Sequence, residues 1–155
     1  MHGAVVALDE ASYMFIAKSG TGKSTHIQNW LENIGGAYVV NGDKPFIIVG
    51  KDGALACGSP WAGKENLQTN AIVPLKSIVL LERASENHME RISAAQAFPF
   101  LLEQVHHPAS REKMQKTLRL MQRMSSSVSF WRFQCNNFKD DCFDVAYSAL
   151  VKGQA

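Results

Sequence analysis

Gly20 and Gly22 stand between an apolar run and a lysine-serine pair, and few folds have a use for that order. Residues 13–17 are apolar and read as a buried strand. From Gly22-Lys23-Ser24-Thr25 onward, Ile27, Trp30, Leu31 and Ile34 fall on one face of a helix. Strand, glycine turn and helix in that order make a phosphate-binding loop. The two glycines let the backbone turn inward and aim its N–H groups at phosphate oxygens. The helix start near Lys23 adds free N–H groups and the positive end of a dipole. Lys23 would reach the outer phosphates of a nucleotide, and the Ser24 hydroxyl would ligate magnesium. The expected nucleotide-binding set is Ser19, Gly20, Thr21, Gly22, Lys23, Ser24 and Thr25.

The usual pattern is G-x-x-x-x-G-K-[ST], and Ala17 stands where its first glycine would be. A β-carbon there disturbs less than the loss of Gly20 or Gly22, and it means the backbone at this position needs no positive φ. The remaining G-x-G-K-[ST] should arise by chance on the order of once in two hundred sequences of this length. The flanking strand and helix lower that further.

The 155 residues suit one domain spanning 1–155 with a sizeable core. With 46% hydrophobic and 19% charged residues, the composition is that of a globular chain. No apolar run approaches the roughly 18 to 20 residues of a membrane span. A net charge of +2 does not by itself imply a nucleic-acid partner. The opening residues 1–5 lack the basic and apolar regions of a secretory leader, so the expected location is the cytoplasm. Cys57, Cys135 and Cys142 are odd in number and fall in no metal-ligand spacing. Cys135 and Cys142 are able to be neighbours, and in a magnesium-nucleotide protein reduced thiols are expected. The consecutive His106 and His107 give no metal site either.

In chain order, residues 3–8 read as a strand, joined by a short polar break to 13–17 as an antiparallel hairpin. The strand feeding the glycine loop is then the second arm of a hairpin, which makes the sheet mixed. Paired Gly35 and Gly36 end the first helix. Residues 37–40 form a buried strand that ends in Asn41-Gly42-Asp43-Lys44-Pro45. Asp43 sits about twenty residues after the loop, where a second magnesium-holding group belongs; the other reading is a solvated Asn-Gly turn. Residues 46–50 and 54–58 flank an Asp-Gly hairpin signal. Residues 59–70 have neither period, so they are either a functional loop or a connector with Trp61 packed as a lid over the core. Residues 74–83 are a continuous strand whose end, Glu82 and Arg83, either pairs internally or meets the site. Residues 85–93 are ambiguous, and 94–105 are helical with Pro99 starting a turn or a kink. A helix opening at Ser110 carries Arg111, Lys113, Lys116, Arg119 and Arg123 around Met114, Leu118 and Met121. It reads as a solvated face over a methionine-rich core rather than a surface for an acidic partner. Residues 128–135 alternate as a strand and 140–152 close as a helix.

Together, the hairpin, the 19–25 loop and Gly42-Asp43 resemble the kinase domain of HPr kinase/phosphorylase and its relative, ATP-dependent phosphoenolpyruvate carboxykinase. Asn41-Gly42-Asp43-Lys44-Pro45, Pro60-Trp61-Ala62-Gly63-Lys64-Glu65, Val73-Pro74-Leu75-Lys76 and Leu81-Glu82-Arg83 resemble the short bacterial HPr-kinase-like proteins, which lack the regulatory N-terminal domain. His2-Gly3-Ala4 matches the usual start of that domain, and the likeness runs from residue 2 to about 150. It implies an α/β P-loop nucleotide-binding domain of the HPr kinase/phosphoenolpyruvate carboxykinase type, with a mixed sheet and flanking helices. The implied activity is ATP- and Mg2+-dependent transfer of the γ-phosphate to a serine hydroxyl of a protein or peptide. Gly20, Gly22 and Lys23 would cradle the phosphates, with Ser24 and Asp43 on the metal. The classical kinases carry two consecutive aspartates at that strand end, and here only Asp43 is present, between Gly42 and Lys44. Either Asp43 serves both metal and proton, or Glu65 is the base. Lys64 or Arg83 would neutralise the transferring group, Lys64 being preferred because its glycine-preceded loop can close over the site.

Three functions compete on this reading. A serine kinase leads, a nucleotide-binding but inactive regulatory module follows from the missing second aspartate, and a small-molecule carboxykinase is weakest because the chain has little room for a substrate domain. The resemblance leaves the phosphate acceptor unnamed and self-association of the short domain open.

Overall fold

The computed structural model describes residues 1–137, 139 and 141–153. Its elements run β1 (Ala4–Leu8), β2 (Ala11–Ile16), α1 (Lys23–Asn33), β3 (Tyr38–Asn41), β4 (Phe46–Val49), β5 (Ala54–Cys57), β6 (Ile72–Arg83), β7 (His88–Ile92), α2 (Ala94–Gln104), α3 (Arg111–Ser125), β8 (Ser129–Cys135) and α4 (Cys142–Leu150). Asp140, where the sequence pattern starts the last helix, lies outside the described residues. The fold is α/β with a mixed sheet, as the pattern of apolar runs implies.

β1 and β2 pair antiparallel from Ala4 opposite Phe15 to Leu8 opposite Ala11, so the strand leading into the glycine loop is the second arm of a hairpin. The sheet order is β3-β1-β2-β6-β5-β4, with β8 joined to β6 and β7. β6 is the seam. Its first residues pair antiparallel with β5, its middle parallel with β2, and Ser77–Arg83 parallel with β8. The ends of β2, β3, β6 and β8 consequently reach the same edge of the sheet, which carries the glycine loop and the Asn41–Pro45 turn.

Each central strand is buried on both faces, and successive side chains divide between two apolar layers. Tyr13 and Phe15 of β2 join Trp30 of α1, Phe133 of β8 and Ala146 of α4 on one side. Met14 and Ile16 join Ile78, Leu80, Leu101, Met121 and Met124 on the other, under α2 and α3. Trp30, Phe15 and Phe133 are almost wholly buried, so truncating any of them to Ala should cost about 3–5 kcal/mol.

The departures from sequence expectation have local causes. The helix expected over 94–105 forms as α2, and no turn starts at Pro99. Its start is fixed by Ser93 and Gln96 in a capping box, and Ala97 and Leu101 are buried on either side of the proline. β7 occupies the segment that reads ambiguously, because only Met89 and Ile92 are buried along it while its charged residues face out. Trp61 is 56% exposed, with its ring edge-on to Phe46, so it does not pack as a lid over the core. All five basic side chains of α3 are exposed above buried Met121 and Met124.

Candidate functional site

The loop after β2 takes two left-handed turns, at Gly20 (φ 79°) and Gly22 (φ 107°). Ala17 is buried and not among the residues with positive φ, so this position tolerates its β-carbon. Gly22 is the N-cap of α1 and, lacking a side chain, offers no cap to the first-turn N–H groups. No acidic residue follows in that turn either, so the positive end of the helix is uncompensated there. α2 and α3, by contrast, each begin under a serine side chain.

The loop is held from outside. Arg83 at the end of β6 donates from Nη2 to the Gly20 carbonyl and from Nε to the Thr21 carbonyl at 3.3 Å. Asn137, beyond β8, donates to the Gly22 carbonyl at 3.1 Å. A β-carbon on Gly22 would lie 2.3 Å from that amide nitrogen, so a side chain there would have to displace the Asn137 amide from the Gly22 carbonyl, in addition to the strain of φ 107°. Thr21 closes the turn by donating its hydroxyl to the Lys18 carbonyl at 2.8 Å.

Opposite the loop, the buried side chain of Asn41 shapes the end of β3. Its Oδ1 accepts from the backbone N–H of Asp43 at 3.0 Å and of Lys44 at 2.7 Å. Its amide donates to the carbonyl and the hydroxyl of Ser59 at 3.0 and 3.1 Å. Segment 59–70 is thereby fastened to β3, and further bonds from Gly42 N to Leu67 O and from Lys44 N to Trp61 O extend the seam. Gly63 (φ 79°) leans on Asp43, with room for a β-carbon only 3.1 Å from the Asp43 Cβ. Segment 59–70 is therefore more than a connector: it forms one wall of the site.

A cavity of about 580 Å³ results, walled by residues 17–25, Gly42, Asp43, Gly63, Lys64, Glu65, Arg83 and His2. Every residue singled out from the sequence, from Ser19 through Thr25 together with Asp43, Lys64, Glu65 and Arg83, lines it. Lys64 and Glu65 are exposed at the mouth, and Ser24 is exposed at the start of α1. Lys23 is half-buried, and its ammonium is held below the usual lysine range by burial, partly offset by Asp43 and Glu65. Arg83 does not pair with Glu82. Glu82 instead meets Arg132 at 3.5 Å, while Arg83 braces the loop.

Two participants escape sequence reasoning. His2 places Nε2 3.2 Å from Asp43 Oδ1 and Nδ1 3.1 Å from Gln104 Oε1, which brackets its ring between the acid and the end of α2. Burial and the nearby Lys23 lower its pKa, against an opposing pull from Asp43. Asn41 is the other. Both stand in motifs that carry the resemblance, but their long-range partners, 41 and 18 residues away, are brought to them only by the fold.

No protein-family model matches the sequence. No curated protein matches it either. Among solved structures the chain is similar to the Hpr(Ser) kinase/phosphatase from Coxiella burnetii at 12% identity and a TM-score of 0.42, over 82% of this chain and 94% of that one. What the cavity can do therefore follows from its own residues.

Proposed function

We propose that the chain is an ATP- and magnesium-dependent phosphotransferase that moves the γ-phosphate to a serine hydroxyl of a protein or peptide. One observation carries this reading: an uncapped helix start, a partly buried ammonium, an exposed hydroxyl and a carboxylate all face one cavity. The burial that lowers the Lys23 pKa leaves its charge poorly solvated, and a bound polyphosphate would restore what water no longer supplies. The cavity volume lies within the range of small-molecule sites.

The donor set fits magnesium. Ser24 and Asp43 offer a hydroxyl and a carboxylate, the hard oxygens that such an ion takes from protein in ones and twos, with phosphate and water completing the shell. When bound there, the ion would supply neutralisation of phosphate charge. The protein's part is separate. The loop amides and Lys23 hold and orient the polyphosphate. As the serine oxygen bonds to the γ-phosphorus and the bridge to the β-phosphate breaks, the hydroxyl proton passes to Asp43, steadied by His2 on Oδ1. Lys64, at the mouth, neutralises the transferring group. Since positioning and charge dominate such transfers, one carboxylate suffices.

The test is transfer of labelled phosphate from ATP to serine-containing peptides with magnesium present. Lys23→Ala and Asp43→Asn should abolish it while far-UV circular dichroism stays unchanged. Unaltered transfer in Lys23→Ala would end the proposal.

A second reading is a nucleotide-binding module without transfer activity, and the packing at Gly42 favours it. A β-carbon there would lie 3.0 Å from the Ala62 carbonyl and 3.3 Å from that of Leu67, so segment 59–70 occupies the space of a second acid. Calorimetric binding of magnesium-ATP without transfer to any peptide would support it. On either reading the proposed location is the cytoplasm; among the described residues no helix is long and apolar enough to cross a membrane.

A further inference from the structure

Among the described residues, β3, β4 and β7 each pair with a single strand of the sheet and so have a free edge. Two of these edges are guarded. β3 is covered by segment 59–70, through the Thr69 N–H on the Val40 carbonyl at 3.1 Å and the Gly42 N–H on the Leu67 carbonyl at 2.9 Å. β7 presents exposed His88, Glu90 and Arg91, and charge on an edge deters another strand from pairing with it. β4, Phe-Ile-Ile-Val, has neither cover nor charge, and no bulge interrupts its register with β5. The Gly50 N–H donates to the Gly53 carbonyl at 2.9 Å and closes the hairpin. Bonded and non-bonded pairs alternate from there, so Phe46 and Ile48 turn their backbone groups toward β5 while Ile47 and Val49 turn theirs outward.

Beside that edge lies an apolar groove of about 230 Å³, with Ile47 and Val49 on one side and Thr117, Leu120 and Met121 of α3 on the other. Leu120 is 46% exposed. Lys113, Lys116 and Arg123, seven, four and three residues from Leu120, share its side of the helix and are exposed. Arg123 reaches across to the strand end and donates to the Gly50 carbonyl at 3.2 Å. Lys44 and Lys51 flank β4. The acids close by are Asp52 in the turn and Glu112, which Lys116 holds at 2.8 Å.

We propose that β4 takes an extended, acidic segment of another protein as an added strand. Main-chain bonds to Ile47 and Val49 supply the pairing, and alternate side chains of the guest fall on opposite faces. Apolar ones lie beside exposed Phe46 and Ile48. Glutamates on the other face lay their methylene stems over Leu120 and bring their carboxylates to the α3 cations. A second copy of this chain fits less well, because it would bring the same cations to the groove. By itself α3 is a basic, solvated face; the open strand beside it gives those charges a guest to select. No residue of this surface lines the phosphate cavity, so the two assignments stand or fall separately.

Fluorescence anisotropy on the full chain, with a labelled peptide alternating glutamate and valine, tests the assignment. Binding should saturate, and it should weaken about tenfold in Leu120→Glu and in Lys113→Glu combined with Lys116→Glu. These positions are exposed, so Tm should hold in both variants. The same peptide N-methylated throughout cannot form a ladder and should not bind, an arm that needs no variant. A lysine-valine peptide should not bind either. Absence of saturable binding by the glutamate peptide overturns the proposal, as does equal binding of the N-methylated or the lysine peptide. Self-association of the chain in sedimentation that Leu120→Glu abolishes overturns it in favour of a second copy.

Discussion

His26 lies one turn into α1, behind Lys23 and Ser24, and is fully buried. Its Nε2 accepts the indole N–H of Trp30 at 3.2 Å, so the neutral ring carries its proton on Nδ1, which faces the Cys142 sulfur at 4.0 Å. Phe15 and Phe133 flank it edge-on, with ring centres 4.7 and 5.4 Å away. Protonation would put a second donor where the indole already points, inside an apolar shell. Burial accordingly pushes the pKa down from 6.5 to about 4. Between those values the unfolded chain binds a proton that the folded chain refuses, so stability is complete above about pH 6.5 and is lost as pH falls toward 4. From about pH 7 to about pH 5 the loss amounts to about 2 kcal/mol, approaching about 3 kcal/mol below the folded pKa. For a chain of this size the first figure lowers Tm by about 4–8 °C. Carboxylates and His2 titrate nearby, so the measurement is a difference. Thermal unfolding is followed at both pH values in the wild type and in His26→Gln, which keeps an acceptor for the indole but cannot titrate. The wild type should lose about 2 kcal/mol more than the variant over that interval. Parallel losses would refute the argument and mean that His26 is solvated or otherwise paired when charged.

Other predictions follow from the same contacts. Asn41→Ala removes two donated and two accepted hydrogen bonds at the β3 end and should cost about 3 kcal/mol by urea unfolding, together with loss of any phosphate transfer. Gly20→Ala meets no atom within 4 Å and bears only the strain of φ 79°, about 1–2 kcal/mol, whereas Gly22→Ala must also displace Asn137 and should be measurably worse in both Tm and ATP affinity. Gly42→Asp, which sets a second carboxylate beside Asp43, should push against segment 59–70 and lower any transfer rather than raise it, as a phosphate-release assay would register. Arg83→Ala frees two loop carbonyls, and weaker ATP binding with Tm nearly unchanged is the expected result by calorimetry and thermal unfolding.

Much of this architecture is legible in the sequence because it depends on near neighbours. The hairpin into the glycine loop, the Asp-Gly turn with Gly53 at φ 124°, and α1 ending around Gly36 at φ 89° all follow from patterns a few residues long. β7 fails that test for a physical reason. Its neighbour β8 supplies the hydrogen bonds from His88 to Ile92, so few apolar side chains are needed to hold it. Pro99 leaves a turn and a helix both open when read alone, and a helix pinned by a capping box and by burial can absorb the one missing N–H. At the site, the glycines, Lys23, Ser24 and Asp43 announce themselves by chemistry and spacing. His2 and Asn41 do not, because what they do is defined by atoms brought to them from Gln104 and Ser59. Segment 59–70 has no period for the same reason: scattered backbone bonds to residues 40–44, an isolated bridge of Asn41 to Gln68 and the side-chain bonds of Asn41 hold it, not a regular ladder.

The contacts made by residues outside the glycine loop explain how a run of small residues can hold a fixed shape. A peptide unit points its C=O and its N–H in opposite directions, so anchoring one fixes the aim of the other. Arg83 and Asn137 bind the carbonyls of Gly20, Thr21 and Gly22 from the outer side; of the amides that follow, that of Thr21 donates to the Lys18 carbonyl at 3.2 Å, and those of Gly22 and Lys23 are aimed by the anchored carbonyls. The orientation of the loop amides is therefore set before any ligand arrives, by one residue from β6 and one from beyond β8. Preorganisation of this kind matters because dipoles already aligned cost nothing to reorient when charge develops. It also accounts for Arg83 in this chain: a guanidinium committed to two carbonyls holds the loop in shape, and under the proposed transfer the neutralising role would go to Lys64, whose side chain is exposed at the cavity mouth.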